Sequence, residues 1–196
     1  MNVDFNTDAE RIEIPLSKFK IGLILLGASG FVALGIWFII NPAMFQNSGY
    51  VNRPAFEILA AGYASIIFFG ACAIFAAYKI FDNKSGLIID KDGITDNSSG
   101  VSVGFIPWGD ITHLDIKQVY RQKFILVFVN DAQKYINKQS FFKNKAILGN
   151  YKFYGTPVTI TSNGLKCNFD DLYNLLSTKL EKYNKHLTKV TSIKVS

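Results

Sequence analysis

The pattern of apolar and polar positions divides the chain in two. Up to about residue 80 the apolar residues run together, and Ile21–Ile40 and Ile58–Tyr78 contain no Asp, Glu, Lys, Arg or His. A helix rises about 1.5 Å per residue, so some twenty residues reach across a hydrocarbon core of roughly 30 Å. About a dozen Leu, Ile, Val and Phe in the first run favour insertion by about 0.3–0.6 kcal/mol each, on the order of 4–7 kcal/mol together, which outweighs the embedded glycines. Two transmembrane helices, about 21–40 and 58–78, are therefore expected as a hairpin over residues 21–80, with Asn41, Pro42, Gly49 and Pro54 in its turn. A cleaved secretory signal is a poor alternative for the first run, because about twenty mostly polar residues with Asp4, Asp8, Glu10 and Glu13 precede it. A pair of buried core helices needs a soluble shell larger than a chain of 196 residues supplies.

After the boundary near Asp82 to Ser85 the pattern changes to short alternating runs. Gly86–Asp90 and Gly93–Asp96 flank Lys91-Asp92-Gly93, the composition of a tight hairpin turn with glycine at a positive-φ position. Val101–Ile106, Ile111–Val119, Phe124–Val129 and Val158–Thr161 are β-branched or aromatic-rich and bounded by Gly, Pro, Asn or Asp, which predicts further strands. Strands in quick succession, without helices between most of them, indicate an antiparallel sheet or barrel. Asn168 as cap, Asp170 and Asp171 in a first turn, and Phe169, Leu172, Leu176, Leu180, Tyr183 and Leu187 at helical spacing predict a C-terminal helix packed on the sheet. Lys179, Lys182 and Lys185 gather toward its end, and residues 188–196 lose the pattern and are expected to fray. Residues 11–16, within an N-terminal segment 1–20, alternate as well. Both ends of a helical hairpin emerge on one side, so 11–16 is expected to pair as an edge strand, where Pro15 is tolerated. The expected fold class is α+β: a transmembrane hairpin and a mostly β domain over 85–187 closed by the last helix.

Charge then sets an orientation. Arg11, Lys18 and Lys20 precede the first span, Lys79, Lys84 and Lys91 follow the second, and the loop between them holds only Arg53. Basic flanks stay cytosolic, so both termini are expected in the cytoplasm, with the hairpin in the inner (plasma) membrane. Ser29 and Ala33 in the first run, and Gly70, Ala73 and Ala77 in the second, suit close backbone approach, either within the hairpin or across a homodimer. Spans without ionised side chains lack the usual mark of an ion path. Cys72 and Cys167 are too few for a disulfide framework and lack metal-ligand spacing.

The stretch Phe105-Ile106-Pro107-Trp108-Gly109-Asp110-Ile111, with strands on both sides and a terminal helix, resembles bacterial pleckstrin-homology-like (PH-like) domains, the shared pattern being Ile-Pro-Trp-x-Asp-Ile. Arg11 to Lys20 with two apolar spans, then Asn97-Ser98-Ser99-Gly100-Val101 and Tyr154-Gly155-Thr156-Pro157, is similar to a family of small bacterial two-helix membrane proteins over nearly the whole chain. The resemblance implies a PH-like roll, two antiparallel sheets closed at one end by the C-terminal helix, and brings no activity, cofactor or catalytic residue with it. On the residues alone, Pro107 and Trp108 suggest a fixed bend with an aromatic plug, and Asp110 a cap or bridge for the next turn.

The densest charge asymmetry supplies the candidate binding residues. Arg121, Lys123, Lys134, Lys138, Lys143, Lys145 and Lys152 stand against a single acid, Asp131, interleaved with Tyr135, Phe141, Phe142, Tyr151, Phe153 and Tyr154. Beside an anionic leaflet each cation contributes about 1 kcal/mol, so the stretch is a candidate lipid- or partner-binding surface; otherwise it is a solvated face over an aromatic core. No recognition helix or nucleic-acid motif accompanies the charge. His113 and His186 are the only histidines, neither in a metal or nucleophile motif, and no phosphate-cradling glycine loop is present. Asp110, His113 and a nearby serine can be drawn as a hydrolase triad, but a turn cap plus an exposed imidazole accounts for them, and no catalytic residue, metal or cofactor is assigned. Two functions follow: a membrane-anchored, non-catalytic module that recruits or senses a protein or anionic lipid, or an accessory or immunity-type subunit whose helices pack against another membrane protein.

Overall fold

A computed structural model describes residues 9–48, 51–137 and 140–195, with side chains except at 47–48, 51–52, 141–142 and 189–195. The chain forms two compact units: Ser17–Asn83, and a second unit that joins the residues up to Leu16 with those from Lys84 onward. In chain order β1 (Ile12–Ile14) precedes α1 (Lys18–Ile40), the short α2 (Pro42–Gln46), the two-residue strands β2 (Asn47–Ser48) and β3 (Val51–Asn52), and α3 (Ala55–Phe81). Then come β4 (Leu87–Ile89), β5 (Gly93–Asp96), β6 (Gly104–Pro107), a 3-10 turn at Trp108–Asp110, β7 (Ile111–Val119) and β8 (Gln122–Val129). The chain continues with α4 (Ala132–Asn137), α5 (Phe141–Tyr154), β9 (Val158–Ile160) and α6 (Phe169–Val195).

In the helical unit, α1 and α3 are long and apolar enough to cross a membrane. α1 begins at Lys18 rather than at the first uncharged residue because Ser17 caps it, its hydroxyl accepting from the Lys20 amide at 3.4 Å. Ile21, Ala28 and Gly35 of α1 and Ile58, Gly62 and Ala76 of α3 are buried along the seam. There the backbones nearly touch: a Cβ added to Gly35 lies 2.9 Å from the Gly62 carbonyl oxygen, and one added to Gly62 lies 2.9 Å from that of Gly35. Ser65 Oγ donates to the Phe31 carbonyl at 2.9 Å, and the Phe31 and Phe69 rings stack at 4.3 Å. At the open end Lys18 Nζ donates to Asn83 Oδ1 at 3.4 Å.

Ser29 and Ala33, expected at a close helix contact, are exposed. The seam on α1 recurs every second turn, and residues 29 and 33 are rotated from it by about 100° or more. Gly70, Ala73 and Ala77 sit on the shoulder of α3, half-buried, and an added Cβ on Gly70 meets nothing within 4 Å. Close approach is fixed by the pair Gly35 and Gly62, which no spacing within one helix reveals.

The second unit holds two antiparallel sheets, one ordered β1-β4-β5-β6 and the other β7-β8-β9. β1 is an edge strand in register with β4, Ile12 opposite Ile89 and Ile14 opposite Leu87, although the whole helical unit separates them in sequence. Pro15 follows the paired residues and its carbonyl accepts from the Lys166 amide at 3.0 Å. Alternate residues point inward: Ile14, Leu87, Ile89, Ile94 and Ile106 in one sheet, and Ile125, Val127, Val158 and Ile160 in the other, are buried. Leu172, Leu175, Leu176 and Leu180 bury one stripe of α6. Its start is closed by Asn168, whose Oδ1 accepts from the Asp171 amide at 2.8 Å.

Three expectations need correction, and one stretch without a predicted element is helical. α6 does not stop near Leu187 but runs to Val195, because no Gly or Pro follows to end it. β6 begins at Gly104, whose φ of +87° breaks the strand expected from Val101. Gly93 is not left-handed; it is glycine because β6 passes so close that a Cβ would lie 2.8 Å from Pro107 Cα. The stretch after β8 is helical, with α5 bracketed by Ser140 and by Gly155, which takes φ +77° and donates its amide to the Tyr151 carbonyl at 2.9 Å. α5 meets the second sheet through Asn150 Nδ2, which donates to Thr159 Oγ1 at 3.2 Å, and through Tyr154, whose ring lies 5.9 Å from that of Phe124.

Candidate functional site

The tryptophan corner is a staple for the first sheet. Pro107 fixes the bend and Trp108 is 3% exposed, its indole N–H donating to the Asp90 carbonyl at 2.8 Å. Asp90 Oδ1 in turn accepts from the amides of Asp92 and Gly93 at 3.0 and 3.1 Å, so the β4–β5 turn and the β6 exit are tied together. Asp110 accepts from Lys134 Nζ and from the Tyr135 hydroxyl, both at 2.6 Å. These bonds, Lys134's first, hold its carboxyl below the usual range, while burial and then Asp110 push the Tyr135 phenol up. His113 lies elsewhere, stacked on Phe128 at 4.3 Å with Nδ1 3.1 Å from Thr112 Oγ1. Among the described residues no three His, Cys, Asp or Glu side chains gather as metal ligands would.

The basic residues separate into distinct settings. Lys134 is engaged by Asp110 and thereby anchors α4 to the corner. Lys138 lies outside the described residues. Lys143 is half-buried on α5, and its charge acts on Asp96. Asp96 is 3% exposed at the end of β5, Oδ1 accepting from the Ser98 amide at 2.8 Å. Burial pushes its carboxyl up, against the opposing pull of Ser98, Ser102 and Lys143. Its Oδ2 and Ser98 Oγ are buried without a hydrogen-bond partner. Lys145 and Lys152 are exposed on α5 together with Phe153.

Arg121 and Lys123 come together at one hollow of about 250 Å³, which they line with Gln118, Ser162, Asn163 and Phe169. Ser162 and Asn163 belong to the connection between β9 and α6 and Phe169 opens α6, so no sequence spacing joins them to Arg121; only the β8–β9 pairing, Ile125 opposite Ile160, does. Comparison with protein-family models, with curated proteins and with solved structures finds no match, so the reading of this chain rests on its own residues.

Proposed function

We propose that the chain is a membrane-anchored, non-catalytic interaction module. In this reading α1 and α3 cross the inner membrane as a hairpin, both termini are cytoplasmic, and the β unit is a PH-like roll that binds an anionic lipid or a protein at the inner leaflet. The anchor is supported by large apolar side chains turned outward, Leu26, Ile67 and Ile74 each more than 70% exposed, which suits hydrocarbon and not water. Lys18, Lys20, Lys79 and Lys84 cluster in sequence at the open end of the hairpin and support the sidedness. A four-strand meander, a three-strand meander and a closing helix support the PH-like reading, with the hairpin inserted between the first two strands of the first sheet.

The observation that carries the binding reading is the outer face of α5. Lys145 and Lys152 lie two helical turns apart and so on one side, next to Phe153, which is 85% exposed. A cation beside an unburied ring suits the headgroup boundary, where ammonium groups meet phosphates and the ring meets acyl chains. The test uses the full chain in nanodiscs. Amide exchange over residues 143–154 is expected to slow on anionic relative to zwitterionic lipid, most at low salt, and Lys145→Glu with Lys152→Glu to remove the difference. Equal exchange on both lipids would rule out the lipid form.

A second reading, the accessory or immunity-type subunit, is favoured by the small residues off the seam. Ser29 and Ala33 are exposed, and an added Cβ at Gly22, Gly27, Gly30 or Gly70 meets nothing within 4 Å, which leaves room for another membrane helix or a second copy. A photo-crosslinker at residue 29 or 70 is expected to trap a lateral partner only in that case.

A further inference from the structure

The tip of the β7–β8 hairpin borders a hollow separate from the α5 face. Val119 pairs with Gln122, leaving Tyr120 and Arg121 as a two-residue turn. Tyr120 takes φ +53°, the left-handed conformation that tight hairpin turns require, and stands 94% exposed. The facing wall is the β9–α6 connection. Asn163 is held there by its amide N–H, which donates to Thr161 Oγ1 at 3.0 Å, and by its side-chain amide, which donates to Gln122 Oε1. Gln118 Nε2 donates to the Tyr120 carbonyl at 2.9 Å. Both walls are thus fastened without a ligand.

The lining selects for an anion. Gln118, Arg121, Lys123, Ser162 and Asn163 all offer hydrogen-bond donors, Phe169 gives an apolar wall, and no carboxylate lines the hollow. Lys123 Nζ is 3.1 Å from Asp170 Oδ1, with the two side chains 43% and 75% exposed, and it lies 5.3 Å from the Phe169 ring centroid. An ion pair so open to water contributes only about 0–1 kcal/mol and gives way readily to a stronger acceptor. Arg121 has no carboxylate partner among the described residues. The amides of α6 are not the attraction, since Asn168 already caps them.

We propose that this hollow binds a phosphate monoester. The Arg121 guanidinium addresses two of its oxygens and Lys123 the third, with Asn163 and Ser162 as neutral donors and Tyr120 and Phe169 against the ester's organic part. Two cations and several neutral donors match a tetrahedral dianion; a carboxylate brings one charge and two coplanar oxygens and leaves half of the set unused. A hollow of about 250 Å³ has room for a phosphate together with a small organic group. The ester is either soluble or the head of a lipid. The loop bearing Ser162 and Asn163 is stitched to the N-terminal segment by the Lys166 amide on the Pro15 carbonyl, 3.0 Å, and by a Leu16–Leu165 bridge. Only the lipid arm rests on the membrane-module reading.

The test uses the full chain in zwitterionic nanodiscs, with binding followed through backbone amide shifts at residues 118–123 and 162–163. One arm titrates glycerol phosphate; the other dopes the discs with phosphatidic acid, a monoester, or with phosphatidylglycerol, a diester. Saturable shifts are expected with a monoester and not with the diester, the responding arm naming the source. Arg121→Gln is expected to weaken them about tenfold or more, as the loss of a charged hydrogen-bonding group does. That side chain is exposed and unpartnered, so the remaining amide spectrum should be unchanged. Lys145→Glu with Lys152→Glu should leave the binding intact, which keeps this site's failure distinct from that of the α5 face. No saturable shift in either arm, or full binding by the Arg121→Gln chain, overturns the proposal.

Discussion

The two units use the same aliphatic side chains in opposite ways. Along α1 and α3 most large residues point outward, Ile67 at 72% and Ile74 at 74% exposure, while the small residues Ala28, Gly35, Gly62 and Ala76 are buried, with Ile21 and Ile58 the large apolar exceptions. In the β unit Ile106, Ile147, Leu172 and Leu176 are wholly buried. In water, burying such a side chain stabilises by about 1.5–3 kcal/mol, so large residues go inside. In hydrocarbon hiding them gains almost nothing, and association is left to close backbone packing. The difference is the one expected if hydrocarbon surrounds the helical unit and water the β unit.

The sharpest way to break this contrast is a matched pair of truncations. Leu176→Ala in the β unit is expected to cost about 2–5 kcal/mol by removing buried volume. Ile67→Ala in α3 should leave the folded hairpin's stability in bicelles within about 0.5 kcal/mol, since the residue is 72% exposed. Both are read from denaturation of the full chain. A large loss from Ile67→Ala would mean that α3 is covered by protein rather than lipid.

Glycines sharpen it further. Gly62→Val places a Cβ 2.8 Å from Ile39 Cγ1 and 2.9 Å from the Gly35 carbonyl oxygen, and is expected to cost about 1–3 kcal/mol of helix association through overpacking. Gly70→Ala, two turns on and with open space at its Cβ, should cost nothing and gain up to about 1 kcal/mol from better helix propensity. Unfolding in mixed bicelles with rising detergent fraction measures both. Equal effects would place the seam elsewhere.

Features decided by neighbours along the chain are legible in the sequence itself. The two apolar runs, the turn at Lys91-Asp92-Gly93, the strand Ile111–Val119 and the Asn168 cap fall into this group, and each is found at its expected place. α4 and α5 escape notice because their buried face is thin, Tyr135, Ile136 and Ile147 diluted among lysines and asparagines. The marks of α5 are nevertheless present: Ser140 before it, Gly155 after it and Pro157 beyond. Of the candidate site, the charges are legible and their company is not. Lys134 reads as a free cation until Asp110 is seen beside it, and Arg121 acquires Asn163 and Phe169 only through sheet pairing. Likewise Gly93 looks like a turn glycine, when what demands it is the backbone of β6.

The smallest effects contrast two aspartates of the β unit. Asp110 is hydrogen-bonded by Lys134 and Tyr135, which lowers its folded-state pKa. Its contribution is therefore present above the unfolded value of about 3.9 and is lost as pH falls through the folded value; Lys134→Met should remove about 1 kcal/mol or less of it near neutrality and none in strong acid. Asp96 has the opposite sign. Burial raises its pKa, so its contribution is full below about pH 3.9 and is lost as pH rises through the folded value. Asp96→Asn keeps an acceptor for the Ser98 amide, supplies a donor for the unpartnered Ser98 hydroxyl and carries no charge. Thermal unfolding of parent and variant should therefore nearly coincide in acid and diverge as pH rises, with the asparagine chain the more stable at neutral pH. If the variant is instead weaker at neutral pH and the gap closes in acid, the Asp96 charge is stabilised by its hydrogen bonds and by Lys143 more than burial penalises it.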